Sequence, residues 1–432
     1  MSAARSAGTG YARLLGARHA VRLLAGTLVG RLPNAAGPLA MVLFVRAEGG
    51  SYTLAGVLSA AYGLATAAGQ PLLGRLVDLY GQPRVMLPAA VVSALGLVLF
   101  VVVGREPVAA AAVAVCVAGV STPPLEGGLR ALWPVVLRGA GRGELVQAAY
   151  ALDAVAQEVM FAVGPLLVTL LVAAWSEAAA LLVLAALGVA GALSVVVSPP
   201  SRGWRSEPRE AHWLGALRSR GLLAVLGTFF FVGIALGTIA VAAVRYADAH
   251  GDSLISTYLL SGLGAGALVG GVAYGARRWR GPAERRLRWL VAALAVCYVP
   301  LVLVPGVPAM TALTVVAGLF LAPALACSFV VVDRHAPAGT VTEAFSWLVT
   351  TFGVGTAAGT ALVGPVVERH GAAAGFALAG AGGAAALGVL LLTVRVLPPA
   401  PGGSGGTSVP VARWENDRNG APEPGFRSGH QA

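Results

Sequence analysis

Twelve apolar runs, each long enough to cross a lipid bilayer, follow one another along this chain and leave little room for any other design. The hydrocarbon core of a bilayer is about 30 Å thick, which takes about twenty apolar residues per helix. Runs of that length occupy 21–45, 52–75, 84–103, 108–136, 145–174 and 178–198, then 221–244, 253–276, 287–305, 309–332, 341–367 and 373–397. The polar stretch 199–220 separates six runs from six. The expected organisation is an N-terminal segment 1–20, a bundle 21–198, a linker 199–220, a second bundle 221–397 and a tail 398–432. The tail is rich in Gly, Pro, Ser and polar residues, a composition expected to be disordered. The fold class expected is all-α, a membrane protein of twelve transmembrane helices in two six-helix bundles.

Charge supports that reading. Only 11% of the residues are charged, whereas a soluble domain carries about a quarter. The formal net charge of +11 comes from thirty basic residues, all of them Arg. They are not gathered as a nucleic-acid footprint would require, and no nucleic-acid partner is expected. Instead they mark one side of the membrane. The N-terminal segment, the 199–220 linker, the tail and the connectors on their side hold twenty-four arginines. The opposite connectors hold Arg46, Arg105, Arg245 and Arg369. The positive-inside rule then places both termini in the cytoplasm, in a cell (inner) membrane. The first twenty residues lack a long apolar core with a small-residue cleavage site, so the first run is expected to stay as a helix.

Ionisable side chains within the runs are costly and therefore candidates for function. Arg31 lies about 14 Å along the first helix from Arg22, at about 1.5 Å per residue. Pro33, Asn34, Gly37 and Pro38 follow it, which predicts a kinked helix with exposed carbonyls, a common border of a transport site. In the fourth helix, Glu126 and Arg130 stand four apart on one face, the spacing of an ion pair. The fifth helix carries Asp153, Gln157 and Glu158. Asp153 and Glu158 project about 140° apart and cannot easily share a partner, while Asp153 and Gln157 share a face. One acid is expected to pair with Arg31, and the other to face the cavity or the partner bundle. Glu158 is the candidate proton carrier, since an acid buried away from a cation holds its proton more tightly. A structural hydrogen bond to a neighbouring helix is the alternative for Glu158.

Other signals read more plainly. Thr340 and Glu343 have the T-x-x-E spacing of a capping box. Gly262, Gly266 and Gly270 suggest close helix packing, and Trp175 and Trp289 suggest interfacial anchors. Cys116, Cys297 and Cys327 each lie alone in apolar runs, and the histidines form no ligand cluster, so no metal and no cofactor is expected. Ser121 has no evident base, which argues against an enzyme.

Between the second and third runs stands Gly74-Arg75-Leu76-Val77-Asp78-Leu79-Tyr80-Gly81-Gln82-Pro83-Arg84. Its glycines permit a tight turn, and its acid sits at a helix end where a neighbouring helix N-terminus or an Arg can hold it. This segment resembles the signature of the major facilitator superfamily through Gly74, Asp78, Gly81 and Arg84, with Leu79 and Pro83 where basic residues are common. The resemblance implies two bundles around a cavity that opens alternately to either side, with the motif locking the outward-facing state. It also implies a coupling role for Arg130, for which a bridge to Asp78 is an alternative. Gly164-Pro165 resembles the core of the antiporter motif of drug exporters, with Met160 where a glycine is usual. The expected function is secondary transport of a small organic solute by alternating access, as proton-coupled efflux by a monomer. Gradient-driven uptake and a non-transporting sensor or scaffold are the alternatives. No nucleotide-binding loop is present, so energy must come from an ion gradient.

Overall fold

The computed structural model describes residues 10–208, 212–252, 254–277 and 279–395. The expected disorder of the tail from 398 falls outside these residues. Among them, the chain is helical and threads as α1 (Ala20–Ala47), α2 (Tyr52–Tyr80), α3 (Gln82–Val103), α4 (Val108–Gly139), α5 (Val146–Ala174) and α6 (Glu177–Val196). The second half follows as α7 (Arg220–Ala249), α8 (Leu254–Ala276), α9 (Ala283–Leu303) and α10 (Val307–His335). The last two, α11 and α12, are the arms of Val341–Leu392 on either side of Gly371.

Ten of the described helices are long and apolar enough to cross a bilayer. One of these, Val341–Leu392, holds two crossings, because Gly371 leaves helical geometry with φ 76°. Only a residue without a Cβ takes that conformation cheaply. The remaining crossing is α2, which at 29 residues is long enough but is diluted by Ser59, Thr66 and Gln70. The total is the expected twelve, in two six-helix bundles.

Local chemistry sets the helix ends. Ser51, Ser176 and Ser219 cap α2, α6 and α7 by accepting from Leu54, Ala179 and Leu222 backbone N–H groups at 3.1, 3.1 and 3.2 Å. Residues 121–124, ending in Pro123-Pro124, interrupt α4 between Val120 and Leu125. The helix α1 stays helical through Pro33 and Pro38. Each proline removes one rung of the hydrogen-bond ladder, but the neighbouring α2 covers this stretch. Tyr62 donates to the Pro33 carbonyl at 3.4 Å and Ser59 to the Pro38 carbonyl at 3.3 Å. Close approach without side chains joins α8 to α10, where a Cβ on Gly266 or Gly270 would strike the Val315 or Leu319 carbonyl. That is the packing expected of the 262/266/270 series.

The two ends of the barrel differ. Call the end carrying the 199–220 connector the linker end. There α5 and α11 are mostly buried, whereas toward the opposite, far end they expose Val163, Leu166, Leu170, Val354 and Leu362; α2 has exposed side chains at both ends, Leu64 toward the far end and Leu72 and Leu79 toward the linker end. Two further segments cross the linker end. The connector lays His212 and Trp213 against α2, where Arg75 donates to the Trp213 carbonyl at 2.9 Å, and Ala216 donates to Glu343 Oε1 at 3.2 Å. The N-terminal segment holds Glu144 through Arg13 at 2.8 Å and reaches α8, where Tyr11 donates to the Val272 carbonyl at 3.2 Å. Burial pushes the Tyr11 phenol up to about 12, so it remains a donor at neutral pH.

Candidate functional site

Three helices of the first bundle bring four charges together in the linker half of the molecule. Arg31 comes from α1, Glu126 and Arg130 from the second segment of α4, and Asp153 from α5. Arg31 meets Glu126 at 2.8 Å and Asp153 at 3.3 Å. Arg130 meets the same two acids, Glu126 at 3.4 Å and Asp153 at 2.5 Å. Each guanidinium therefore bridges both carboxylates, and the cluster closes on itself with no net charge. Gln157 extends it by accepting a hydrogen bond from Arg31 Nη2. The expected i, i+4 pair of Glu126 and Arg130 is present, and the acid paired with Arg31 proves to be Asp153, joined by Glu126.

Burial gives this arrangement its weight. Arg31, Glu126, Arg130 and Asp153 are 6%, 7%, 1% and 0% exposed. Charges so far from water persist only when paired and hydrogen-bonded. Removing one member of a buried set leaves its partners uncompensated, at a cost of about 3–5 kcal/mol. The cluster is thus both a structural anchor for α1, α4 and α5 and a group whose geometry depends on its charge state.

The other singled-out residues divide around it. Glu158 is half-buried on α5 and has no hydrogen bond or ion pair among the described residues. The angular separation from Asp153 read off the sequence accounts for this, since the two acids leave the helix in different directions. Asn34, one turn beyond Arg31, is half-buried and likewise makes no hydrogen bond to the cluster.

The Gly74–Arg84 segment lies apart from these charges, at the linker end. Asp78 Oδ1 and Oδ2 accept from the backbone N–H groups of Thr342 and Glu343 at 3.1 and 2.9 Å. A carboxylate of the first bundle therefore caps α11 of the second, satisfying N–H groups that the helix itself leaves open. This corrects two expectations. Asp78 forms no ion pair with Arg130, and Thr340 does not cap its own helix: its hydroxyl donates to the Pro337 carbonyl at 2.7 Å, and Glu343 turns to Ala216. Gly74 packs against α11, where a Cβ would lie 2.6 Å from Ser346 Oγ. Gly81 makes the turn at φ 88°, and Arg84 is exposed.

Sequence reasoning missed the aromatic contribution of the second bundle. The Arg130 guanidinium carbon lies 3.9 Å above the ring of Phe329 in α10. Phe329, Phe345 and Tyr150 form a triangle with centroids 6.0–6.2 Å apart. Tyr150 was legible in principle, one turn before Asp153 on the same face. The two phenylalanines carry no signal that separates them from ordinary core.

Among the described residues no group of three His, Cys, Asp or Glu side chains could hold a metal.

The architecture is similar to several solved transporters. One is the human organic anion transporter MFSD10 (TETRAN), at 17% identity over 88% of this chain and 98% of that one, with a TM-score of 0.65. Another is a bacterial homologue of the iron transporter ferroportin in an outward-facing state, at 14% identity, 87% and 98% coverage and a TM-score of 0.65. A third is FucP in the outward conformation, at 14% identity, 86% and 97% coverage and a TM-score of 0.67. At such identities the likeness is one of fold. No curated protein matches the chain by sequence. The sequence does match the family profile described as Major Facilitator Superfamily over residues 23–346, well over half its length. Multi-pass topology, transporter fold and family profile agree, and the chain belongs to the major facilitator superfamily of small-molecule transporters.

Proposed function

We propose that this transporter moves a small organic solute out of the cell in exchange for protons, as a monomer in the cell membrane with both termini in the cytoplasm. The observation that carries the reading is the contrast between two acids on one helix. Asp153 is held between two arginines, whereas Glu158, about 7.5 Å further along at about 1.5 Å per residue, has no cation beside it. An acid in that position can take up and release a proton without dismantling a buried ion pair. The arginine asymmetry supports a cytoplasmic linker end. The Asp78 cap on α11 then acts as the lock of a cytoplasm-closed, outward-facing state, consistent with the bare far halves of α5 and α11. Arg31, Gln157, Glu126, Arg130 and Asp153 form the coupling network, with Asn34 beside it on α1.

The test has two stages. A growth-inhibition screen in an efflux-deficient host, with and without a protonophore, identifies compounds whose tolerance depends on the chain. Inverted vesicles then measure proton-driven accumulation of such a compound. Glu158→Gln should abolish the response to an imposed pH gradient while leaving facilitated exchange. Unchanged pH dependence in that variant removes the proton-carrier role. Protonophore-insensitive tolerance removes proton coupling altogether.

A further inference from the structure

Arg130 belongs to two assemblies at once. Within its own bundle it is fixed by Asp153 and Glu126. Among the contacts of the described residues, it is also the member of the cluster that reaches the other bundle, stacking 3.9 Å over Phe329 and lying 6.0 Å from the Phe345 centroid. These two arrangements do not compete. The carboxylates bind a guanidinium at its N–H edges, and an aromatic ring binds its face. Arg130 Nη1 is nevertheless buried without a hydrogen-bond partner, so part of the charge is left to the rings. Tyr150 ties the site together from α5, donating to the Arg130 carbonyl at 3.3 Å and packing against both phenylalanines.

We propose that the Arg130–Phe329 stack is the joint through which the charge cluster of the first bundle controls the linker-end seal with the second. The proposal deepens the transport reading above and rests on it. With both acids ionised, the guanidinium is held in one plane, flat against Phe329, and α4 and α10 are clasped. When the Asp153 charge is withdrawn, by a cationic solute or, in the test below, by substitution, the strongest in-plane contact weakens and the flat geometry is no longer imposed. The seal then opens more readily. The charged groups around this joint are Arg31 from α1, Glu126 and Arg138 from α4, Asp153 from α5, Asp333 from α10 and Glu343 at the start of α11.

The test reads opening directly and needs no solute. Cys116, Cys297 and Cys327 are replaced, Ser346→Cys is introduced in the seam where α11 meets Gly74, and maleimide labelling of the full chain is timed in lipid nanodiscs. Phe329→Leu, which keeps apolar bulk but has no π face, should raise the labelling rate about tenfold, the scale of a desolvated cation–π contact. Phe329→Tyr should stay near the parent. Asp153→Asn should raise the rate in the parent and add nothing on the Phe329→Leu background, because both act through one joint. Multiplying effects in the double variant, or a Phe329→Tyr protein as open as Phe329→Leu, would overturn the proposal. If Phe329→Leu gives no monodisperse protein, Phe329→Met takes its place with the same expected result. Failure of proton coupling alone would appear as pH-independent transport with this labelling pattern intact, so the two failures are separable.

Discussion

The two ends of the same helices behave as different materials. At the linker end the two bundles are joined by directional contacts: the Asp78 cap from α2 on α11, Thr350 of α11 donating to the Ala67 carbonyl of α2 at 3.0 Å, and the Arg130–Phe329 stack between α4 and α10. Toward the far end α2, α5 and α11 present mostly aliphatic side chains to whatever surrounds them. Van der Waals packing between apolar surfaces competes poorly with lipid, which is equally apolar. Capping bonds and cation–π contacts have no lipid substitute. A seal built from such contacts is specific and can still be released by changing a charge, which a greasy seal cannot.

That contrast can be broken most forcefully at the cluster. Asp153→Ala leaves two buried arginines with one acid and should cost about 3–5 kcal/mol. The loss would show as a fall in the thermal midpoint of the detergent-purified protein, and a change near zero would mean that water already reaches the site. A smaller effect is expected at the cap. Asp78→Ala exposes two helix N–H groups, and with loss of a charged cap the penalty should be about 1–2 kcal/mol. It should appear as faster labelling of a linker-end cysteine, with far-end labelling no faster. Gly371→Ala places a Cβ where φ is 76° and ψ -177° and should cost about 1–3 kcal/mol, seen in thermal stability with labelling at the linker end unaltered. Arg75→Gln removes exposed bonds to the connector carbonyls and should change stability by less than about 1 kcal/mol. At the far end, Leu64→Ala, at a side chain that is 68% exposed, should stay within about 0.5 kcal/mol. A Leu64 effect as large as that of Asp78 would erase the distinction between the ends.

Much of the architecture was readable before the structure because lipid imposes a length rule on every crossing. Even so, α2 and the α11–α12 pair show where that rule blurs, through polar dilution in one and an absent loop in the other. Within the first bundle the pairing of Glu126 with Arg130 followed from helical spacing, and the isolation of Glu158 followed from its angle to Asp153. The sequence could not say which acid Arg31 would choose, since that depends on the rotation of α1 against α4 and α5. It chose both. The partner of Asp78 was illegible for a different reason: it is a pair of backbone N–H groups, which every residue has, 264 and 265 positions away. The same logic misled the reading of Thr340, whose local capping signature was outbid by an acid from another bundle. The prolines of α1 signalled exposed carbonyls, but the cover that α2 gives the Pro33 and Pro38 carbonyls is a tertiary fact.

The turn at Gly371 has a mechanical corollary. With a single residue outside helical geometry between α11 and α12, any rotation of one arm against the other falls on the two backbone dihedrals of Gly371. Nothing lies within 4 Å of where its Cβ would be, so displacement of α11 at the Asp78 end reaches α12 through one permissive residue, which is the pair's natural hinge.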